Sequence, residues 1–450
     1  MDTLFSNVTI VTMNPRMEVL FSAYLGVQDG KISYMSHQPP EEKPQTILDG
    51  TGMVLLPGLI NCHTHLPMSL FRGCAEDCSL STWLQEHIFP REDCLDARAV
   101  RAGTLLSLAE CIRFGVTSVS DMYDFTGQVA QAAAESGIKA NLSLGQVLFL
   151  DETEEFRFDT DPGCQALQQV YEKWHGYDGG RIQIDASLHA EYTSNYRLWE
   201  ALHAFAADHG LRMQLHLSET RAEHESCKEK YGLTPAQILD CHHVFDTPTS
   251  AAHCVHLEPE DMRLLAQRGV SAVHCPVSNL KLASGVAPVT ELVKAGMNVA
   301  LGTDSAASNN NLDLFEEMKA AALAAKARTG DPGALPAPAV LMMATVCGAR
   351  AQGREKTCGM IQVGLDADLI LVDFTAPHLM PCHDVFSSLV YAAGGSDVAL
   401  TMVRGKILYA GGKFNTIDLD AVVRELASYA IPRAFSQAPD SAARSTDSRR

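Results

Sequence analysis

Four residues that can bind a metal ion occur where buried, strand-like segments of the sequence end. His63 and His65 close the first such segment, and because residues i and i+2 of a strand share a face, both imidazoles can aim at one point. His216 and Asp304 close two later segments of the same kind. Three imidazoles and one carboxylate suit Zn²⁺ or another borderline divalent metal and leave a position for water. The sequence therefore predicts one metal ion bound by His63, His65, His216 and Asp304.

Catalytic functions can be assigned to residues near these ligands. Glu219 lies three residues after His216, where a carboxylate can take a proton from an activated water and pass it to a ring nitrogen, as general base and then general acid. Asp304 can bind the metal and also accept a hydrogen bond from that water. His253 can bond the water or the leaving group, or act as a fifth ligand, and His256 is its rival for this position.

The middle of the chain must supply the strands that bring these residues together. Short apolar segments alternate there with amphipathic helical segments, and eight such units are what a (β/α)8 barrel requires. The carboxyl ends of barrel strands converge at one mouth. The predicted strands are Gly58–His65, Thr117–Met122, Ala140–Leu144, Ile182–His189, Met213–Glu219, Ala251–His256, Ala272–Pro276 and Val299–Asp304. The clearest predicted helices are Ala99–Phe114, Val129–Ser136 and Leu312–Ala327.

Both ends of the chain are rich in β-forming residues and flank this alternating region. The predicted fold class is therefore α/β, a (β/α)8 TIM barrel with a small β-sandwich domain built from both chain ends. We assign residues 1–56 plus 358–415 to the β-sandwich and residues 57–357 to the barrel. Residues 416–450 are predicted to form a C-terminal helix and a mobile tail, because the last residues are small and polar.

Charge, apolar runs and cysteine content indicate which partners and which cell compartment to expect. The formal net charge is −19, and an acidic surface repels nucleic acid and anionic lipid. The sequence shows no signal peptide and no apolar run near the roughly 20 residues needed to span a bilayer. The 13 cysteines are scattered and contain no CxxC pair, which is typical of reduced thiols. We therefore expect a cytoplasmic enzyme with no nucleic-acid or membrane partner.

Several segments together resemble the amidohydrolase superfamily, and more narrowly its 5-methylthioadenosine/S-adenosylhomocysteine deaminase family. They are PGLINCHTH (57–65), HLSE (216–219), AHC (252–254), SNLKL (278–282), LGTDS (301–305) and VGLDADLIL (363–371). The resemblance runs from about Gly50 to about Lys413 and implies a hydrolase of C–N bonds in cyclic amidines, with release of ammonia. Binuclear relatives carry a carboxylated lysine at the fourth strand end. Residues 185–189 read DASLH, with no lysine, so the resemblance implies a single metal ion.

The same resemblance implies a pocket for a purine nucleoside. Trp83 matches a residue that packs against the adenine-bearing ligand, and Glu92 matches a carboxylate that accepts hydrogen bonds from both ribose hydroxyls. His189 matches a residue that contacts the base or the ribose, and Glu219 contacts the substrate as proton carrier. Without the resemblance, Trp83 would be read as core packing and Glu92 as a solvated carboxylate.

One departure from the family bears on the group at the 5′ carbon. Family members that take S-adenosylhomocysteine well use arginines after the third strand, but residues 143–163 are acidic here and contain only Arg157. A neutral 5′ group, as in 5′-methylthioadenosine, adenosine or 5′-deoxyadenosine, is therefore expected. The alternatives are an amidohydrolase acting on guanine, a pterin or a triazine, which have no diol for Glu92, and a catalytically dead barrel that serves as a binding protein. The family fold often forms homo-oligomers.

Overall fold

The two ends of the chain supply strands to one sheet, and the middle supplies a series of parallel strands. The computed structural model describes residues 1–149 and 155–436. Within these ranges the strands are β1 (Thr3–Val11), β2 (Val19–Gln28), β3 (Lys31–Ser36), β4 (Thr46–Asp49), β5 (Met53–Pro57), β6 (Leu59–Thr64), β7 (Val116–Met122), β8 (Lys139–Ser143), β9 (Ile182–Ile184), β10 (Ala186–Ser187), β11 (Met213–Leu217), β12 (Thr249–His253), β13 (Ser271–His274), β14 (Asn298–Leu301), β15 (Leu369–Asp373), β16 (Val398–Val403), β17 (Lys406–Ala410) and β18 (Lys413–Phe414).

Helices connect most of the strands in the middle of the chain. The longer ones are Ala97–Arg113, Thr126–Ser136, Pro162–Trp174, Tyr196–His209, Arg221–Tyr231, Pro235–Cys241, Pro259–Arg268, Pro276–Lys281, Val289–Lys294, Leu314–Thr329, Ala337–Met343, Val346–Ala351, Val385–Tyr391 and Leu419–Glu425. Shorter helical segments are Leu66–Phe71, Leu80–Thr82, Phe89–Glu92, Glu191–Thr193, Val244–Asp246, Ala306–Asn309, Pro377–Leu379, Gly395–Asp397 and Ile431–Ala434. Two segments have the wider π-helical turn, Trp83–Ile88 and Leu426–Ala430.

One sheet joins the first and last parts of the chain. Its strands run in the order β18-β17-β16-β15-β5-β1-β2-β3, with β4 paired to β1. β15 lies antiparallel to β5, with Leu369 opposite Pro57, so the returning chain pairs directly with the strand that leads into the barrel. A separate apolar cluster that includes Phe5, Ile10 and Leu25 fills the space inside this unit. The domain boundaries stay a prediction.

The central strands form the barrel that the alternating pattern predicts. β6–β9 pair in parallel in one sheet and β10–β14 in another. The sheets meet on one side where the Asp185 N–H donates to the Leu142 carbonyl at 2.9 Å, and on the other where the Asp304 N–H donates to the His63 carbonyl at 3.0 Å. The predicted fourth strand is thus divided at Asp185, whose buried carboxylate accepts hydrogen bonds from Asn141 and Gln214.

Most barrel strands end earlier than the sequence predicts, and residues with left-handed backbone lie at or just beyond the ends of three of them. Ser218 follows β11 with φ 47°, His253 ends β12 with φ 70°, and Asp304 lies beyond β14 with φ 60°. This conformation is uncommon for residues other than glycine and breaks the strand ladder. The chain therefore turns over the mouth at the positions that carry candidate site residues.

The predicted helices are present with slightly different ends. Ala97–Arg113, Thr126–Ser136 and Leu314–Thr329 overlap them, and a helical segment also follows the last strand. We call residues 419–436 the C-terminal helix. The remaining tail, residues 437–450, lies outside the described residues. None of the helices in the described ranges is both long enough and apolar enough to cross a membrane.

Candidate metal centre and active site

The four predicted ligands meet at the mouth of the barrel. The Nε2 atoms of His63 and His65 lie 3.6 Å and 3.3 Å from Asp304 Oδ1, and His216 Nε2 lies 3.3 Å from His65 Nε2. All four residues are buried or nearly so. His63, His65 and Asp304 present ligand atoms within 4.8 Å of one another, as do His63, His216 and His253. The structure thus brings together residues from strands far apart in sequence.

Backbone carbonyls fix the orientation of two of the imidazoles. His65 Nδ1 donates to the Met122 carbonyl at 2.6 Å, and His216 Nδ1 donates to the His189 carbonyl at 2.7 Å. Each ring thereby donates through Nδ1 and turns Nε2 into the site. His65 Nε2 and His216 Nε2 lie 3.3 Å apart, so one cation can be bound by both nitrogens.

Two hydroxyl groups aim the carboxylate of Asp304. Its Oδ2 accepts hydrogen bonds from Ser278 Oγ at 2.6 Å and Ser308 Oγ at 2.7 Å, which leaves Oδ1 facing the histidines. Gly302 lets this segment pass close to β6, because a Cβ atom there would lie 2.8 Å from the Cβ of His63. The close approach brings Asp304 within reach of the first strand end.

The charge distribution of the cluster fits a divalent metal. Burial lowers the pKa of His63 and of His216 well below the ordinary value, so both are neutral and able to donate a lone pair. Burial opposes ionisation of Asp304, but the hydrogen bond with His65 holds the pKa of that carboxyl well below its usual range. His63 Nε2 is buried without a hydrogen-bond partner. Burial opposes protonation of His65, but the hydrogen bond with Asp304 raises its pKa to about 9, so a metal bound there would displace a proton. Two neutral imidazoles, an ionised carboxylate and an orphaned ring nitrogen together form a site suited to a divalent metal.

Glu219 and His253 face this cluster. His253 Nε2 lies 3.8 Å from Glu219 Oε2, and the side chain of Asn279 accepts a hydrogen bond from His253 Nδ1 at 2.9 Å. Ser284 Oγ donates to Glu219 Oε1 at 3.4 Å. Burial raises the pKa of Glu219, which favours a carboxyl group that can both take up and release a proton. His256, the rival of His253, instead bonds the Ser284 carbonyl at 2.8 Å.

A second glutamate holds the segment that carries Glu219, and sequence reasoning did not single it out. Glu223 Oε1 accepts from the Ser218 N–H at 2.8 Å, and Oε2 accepts from the N–H groups of Glu219 at 2.8 Å and Thr220 at 3.3 Å. The spacing of Thr220 and Glu223 is that of a capping box, which could have indicated this contact. The sequence also left Ser278, Ser308 and Asn279 without a function, although two of them lie in the SNLKL segment.

Besides Glu219, three residues are predicted to contact substrate, and they lie on separate segments of the chain. The His189 ring centroid is 4.7 Å from that of His216, and His189 Nδ1 is 3.1 Å from Thr193 Oγ1. Glu92 ends a short helix after β6, and its carboxylate adds to the effect of burial in raising the pKa of Tyr123, the residue after β7. Trp83 is 5% exposed and packs in the main apolar core.

A barrel with this cluster of ligands at its mouth is typical of metal-dependent hydrolases, and comparison with known proteins identifies the family. The chain matches the amidohydrolase family over residues 54–408. It therefore belongs to the amidohydrolase family, whose members include metal-dependent hydrolases, and the predicted α/β barrel fold is confirmed.

Particular relatives are similar over nearly the whole chain. The 5-methylthioadenosine/S-adenosylhomocysteine deaminase of Moorella thermoacetica is 43% identical over 426 residues, which are 94% of this chain and 97% of that protein. The 5′-deoxyadenosine deaminase of Methanosarcina mazei is 43% identical over 424 residues, 94% of this chain and 96% of that protein. The crystal structure of an adenosine deaminase from Xanthomonas campestris with bound zinc has a TM-score of 0.89 at 34% identity, covering 95% and 97% of the two chains.

Proposed function

We propose that this enzyme uses one divalent metal ion, zinc, to deaminate adenosine derivatives. The 6-amino group is replaced by oxygen, giving an inosine-type product and ammonia. The observation that carries the proposal is the buried Glu219 carboxyl beside a cluster of three imidazoles and a carboxylate. The similarity to deaminases of adenosine derivatives over 94% of the chain supports the same reaction.

His63, His65, His216 and Asp304 would hold the metal, and the neutral rings of His63 and His216 with the ionised Asp304 carboxylate fit a zinc site. When bound, the metal supplies Lewis-acid activation, which brings the pKa of water towards neutrality. In the proposed mechanism, Glu219 removes a proton from the attacking water and delivers it to the adjacent ring nitrogen of the base. Its raised pKa suits this double function, because a carboxyl whose ionisation is opposed by burial can both take up and release a proton.

His253 assists in the proposed mechanism from a position beside Glu219. Its Nδ1 is fixed by Asn279, so Nε2 points towards Glu219 and the metal ligands. From there it can bond the attacking water or the departing amine, or complete the donor set of the metal. The rigid hydrogen bond to Asn279 supports a positioned ring rather than a mobile one.

The proposed substrate is a purine nucleoside bound by Trp83, Glu92 and His189. A carboxylate such as that of Glu92 can accept hydrogen bonds from both hydroxyls of a vicinal diol. Its place beside Tyr123, directly after β7, supports a position at the barrel mouth. His189 lies against His216, which supports contact with a base held over the metal centre.

A neutral group at the 5′ carbon is also proposed. Arg157 is the one arginine in residues 143–163, which follow the third barrel strand. Its Nε and Nη2 donate to the Asp159 carboxylate at 3.3 Å and 2.9 Å. A guanidinium engaged in this way does not offer a free bidentate face to the carboxylate of a homocysteine tail. The acidic segment from Asp151 that supported the same expectation begins outside the described residues.

An ammonia-release assay on a panel of substrates tests the proposed function. We expect turnover of adenosine, 5′-deoxyadenosine and 5′-methylthioadenosine, weaker turnover of S-adenosylhomocysteine, and none of guanine, pterins or triazines. The metal-loaded Glu219→Gln variant is the control for contaminating deaminases. A preference for a free base over every nucleoside would refute the proposal and favour the alternative class of substrate.

We also propose a compartment, a class of partner and an oligomeric state for the enzyme. Its thirteen cysteines are all free thiols, which supports a reducing compartment such as the cytoplasm. The net charge of −19 supports a small-molecule partner and argues against nucleic acid or anionic membrane. Assembly into homo-oligomers, common for this fold, is part of the proposal and can be tested by light scattering.

A further inference from the structure

The C-terminal helix packs against the part of the chain that follows Glu92. Its buried residues recur at every fourth position and lie in the main core with the helix Ala97–Arg113. These are Val422, Leu426, Ala430 and Ala434. The π-helical turn Leu426–Ala430 keeps a four-residue repeat on one face, where an unbroken α-helix would rotate it away. One side of the helix is thereby directed at the helix Ala97–Arg113, which begins five residues after Glu92.

The carboxylate of Asp96 connects the C-terminal helix to the beginning of the helix Ala97–Arg113. Asp96 Oδ2 accepts a hydrogen bond from the Tyr429 hydroxyl and lies 3.6 Å from Arg433 Nε. Asp96 Oδ1 accepts from the Ala99 N–H at 3.0 Å and so caps that helix. Since both oxygens are engaged, the position of Asp96 depends on both helices.

Residues on either side of Asp96 contact the same C-terminal helix. Arg98 Nη2 bonds Glu425 at 3.0 Å, and its guanidinium carbon lies 3.9 Å from the centre of the Tyr429 ring. Cys94 Sγ lies 3.4 Å from the Pro90 carbonyl and 3.5 Å from the carbonyl of Ser436, two residues beyond the last helical residue. Asp96 and Arg98 are therefore both bonded to the same distant element, and Cys94 lies within reach of its end.

This fixed segment begins within one turn of Glu92. The Leu95 N–H donates to the Glu92 carbonyl at 2.9 Å, so the backbone of Glu92 is bonded to a residue flanked by Cys94 and Asp96. We propose that the C-terminal helix positions Glu92 for the ribose diol, with Tyr429 and Arg433 as positioning residues that act through Asp96. This inference rests on the proposed function of Glu92. A carboxylate that binds two hydroxyls is sensitive to displacements of about 1 Å, because both hydrogen bonds must be aligned.

The test compares substrates with and without the diol. The variant combines Tyr429→Phe with Arg433→Gln, which removes both polar groups from Asp96 and preserves the aromatic ring under Arg98. kcat/KM is measured for adenosine and for 2′,3′-dideoxyadenosine, together with metal content and thermal unfolding. The matched control is Arg268→Gln, which breaks ion pairs with Asp240 and Asp246 elsewhere on the surface.

We expect the preference for adenosine over the dideoxy analogue to fall about tenfold in the double variant, with turnover of the analogue and metal content unchanged. The control should keep the full preference, and Tyr429→Phe alone should shift it in the same direction as the double variant. An unchanged preference, or equal losses on both substrates, would overturn the positioning proposal.

Glu92→Gln separates this inference from the proposed function. If Glu92→Gln lowers the preference and the double variant does not, only the positioning by the C-terminal helix is wrong. If Glu92→Gln itself leaves the preference unchanged, the diol contact is wrong and the inference falls with it.

Discussion

Replacing Glu223 by glutamine tests whether one buried carboxylate holds the proposed proton carrier in place. Glu223 accepts three backbone N–H groups, from Ser218, Glu219 and Thr220. Ser218 has φ 47°, and the left-handed conformation costs roughly 1–2 kcal/mol for an L-residue. The three hydrogen bonds offset this strain. A glutamine has nearly the same shape, but only one of its two terminal atoms can accept.

The effect of Glu223→Gln on stability combines the loss of one hydrogen bond with the removal of a buried ionised carboxylate. The amide oxygen can replace Oε2, which leaves the Ser218 N–H facing an NH₂ group. Losing one hydrogen bond to a charged acceptor costs about 1.5–3 kcal/mol. Burial and the neighbouring Glu219 raise the pKa of Glu223 to about 7, so replacing an unfavourably ionised group recovers part of that cost above pH 7. We expect the free energy of unfolding to fall by only about 1–2 kcal/mol at pH 8.

The effect on turnover should be larger than the effect on stability. A displacement of the Glu219 backbone by about 1 Å can cost up to about 10²-fold in kcat. The assay measures kcat, KM, metal content and thermal unfolding of Glu223→Gln. Glu225→Gln is the matched control, because it makes the same change at an exposed position of the same helix. Turnover within about twofold of the wild type, or a loss that only parallels loss of metal, would refute the reasoning.

Three further predictions follow from the site and its surroundings. Glu219→Gln should keep the metal and lose about 10²–10⁴-fold in kcat, and near-normal turnover of the metal-loaded variant would exclude Glu219 as proton carrier. Ser278→Ala and Ser308→Ala should each weaken metal binding about 10–100-fold in competition with a chelator, because Asp304 Oδ2 loses a hydrogen bond; an unchanged dissociation constant would contradict this. Burial raises the pKa of Glu191 to about 7, whereas the carboxyl of the unfolded chain releases its proton near pH 4.5. Between these two pH values the folded state binds more protons than the unfolded state. The free energy of unfolding therefore falls as pH rises from about 4.5 to about 7, by up to about 3 kcal/mol. Glu191→Gln should therefore gain thermal stability relative to the wild type between pH 4.5 and pH 8, and a difference independent of pH would argue against the assignment.

The residues whose positions the sequence predicted are those that depend on local periodicity. His63 and His65 lie two apart on one strand, so the alternation of side chains places both on the same face of β6. His216 and Asp304 follow apolar segments that become β11 and β14, and the convergence of strand ends in a barrel then brings all four together. No knowledge of side-chain contacts is needed for this step.

The contacts that orient these residues could not be predicted in the same way. The left-handed residues Ser218 and His253 are not glycines, so the sequence does not signal that β11 and β12 end there. The carbonyls of Met122 and His189 that fix two imidazoles have no sequence signature, because every residue carries one. Orientation therefore depends on backbone groups that only the folded structure brings into range.

The contacts of the C-terminal helix also could not be predicted, because they join residues far apart in the sequence. Its amphipathic pattern predicts a helix that must cover something, but a repeat of four says nothing about which surface it covers. Tyr429 and Asp96 are 333 residues apart, and neither is distinctive on its own. The Glu92 segment is long and connects β6 to the helix Ala97–Arg113 through short helical pieces. Its residues Trp83, Ile88 and Leu95 pack in the main core, and the proposed support from the far end of the chain adds the polar contact of Tyr429 with Asp96 to that packing.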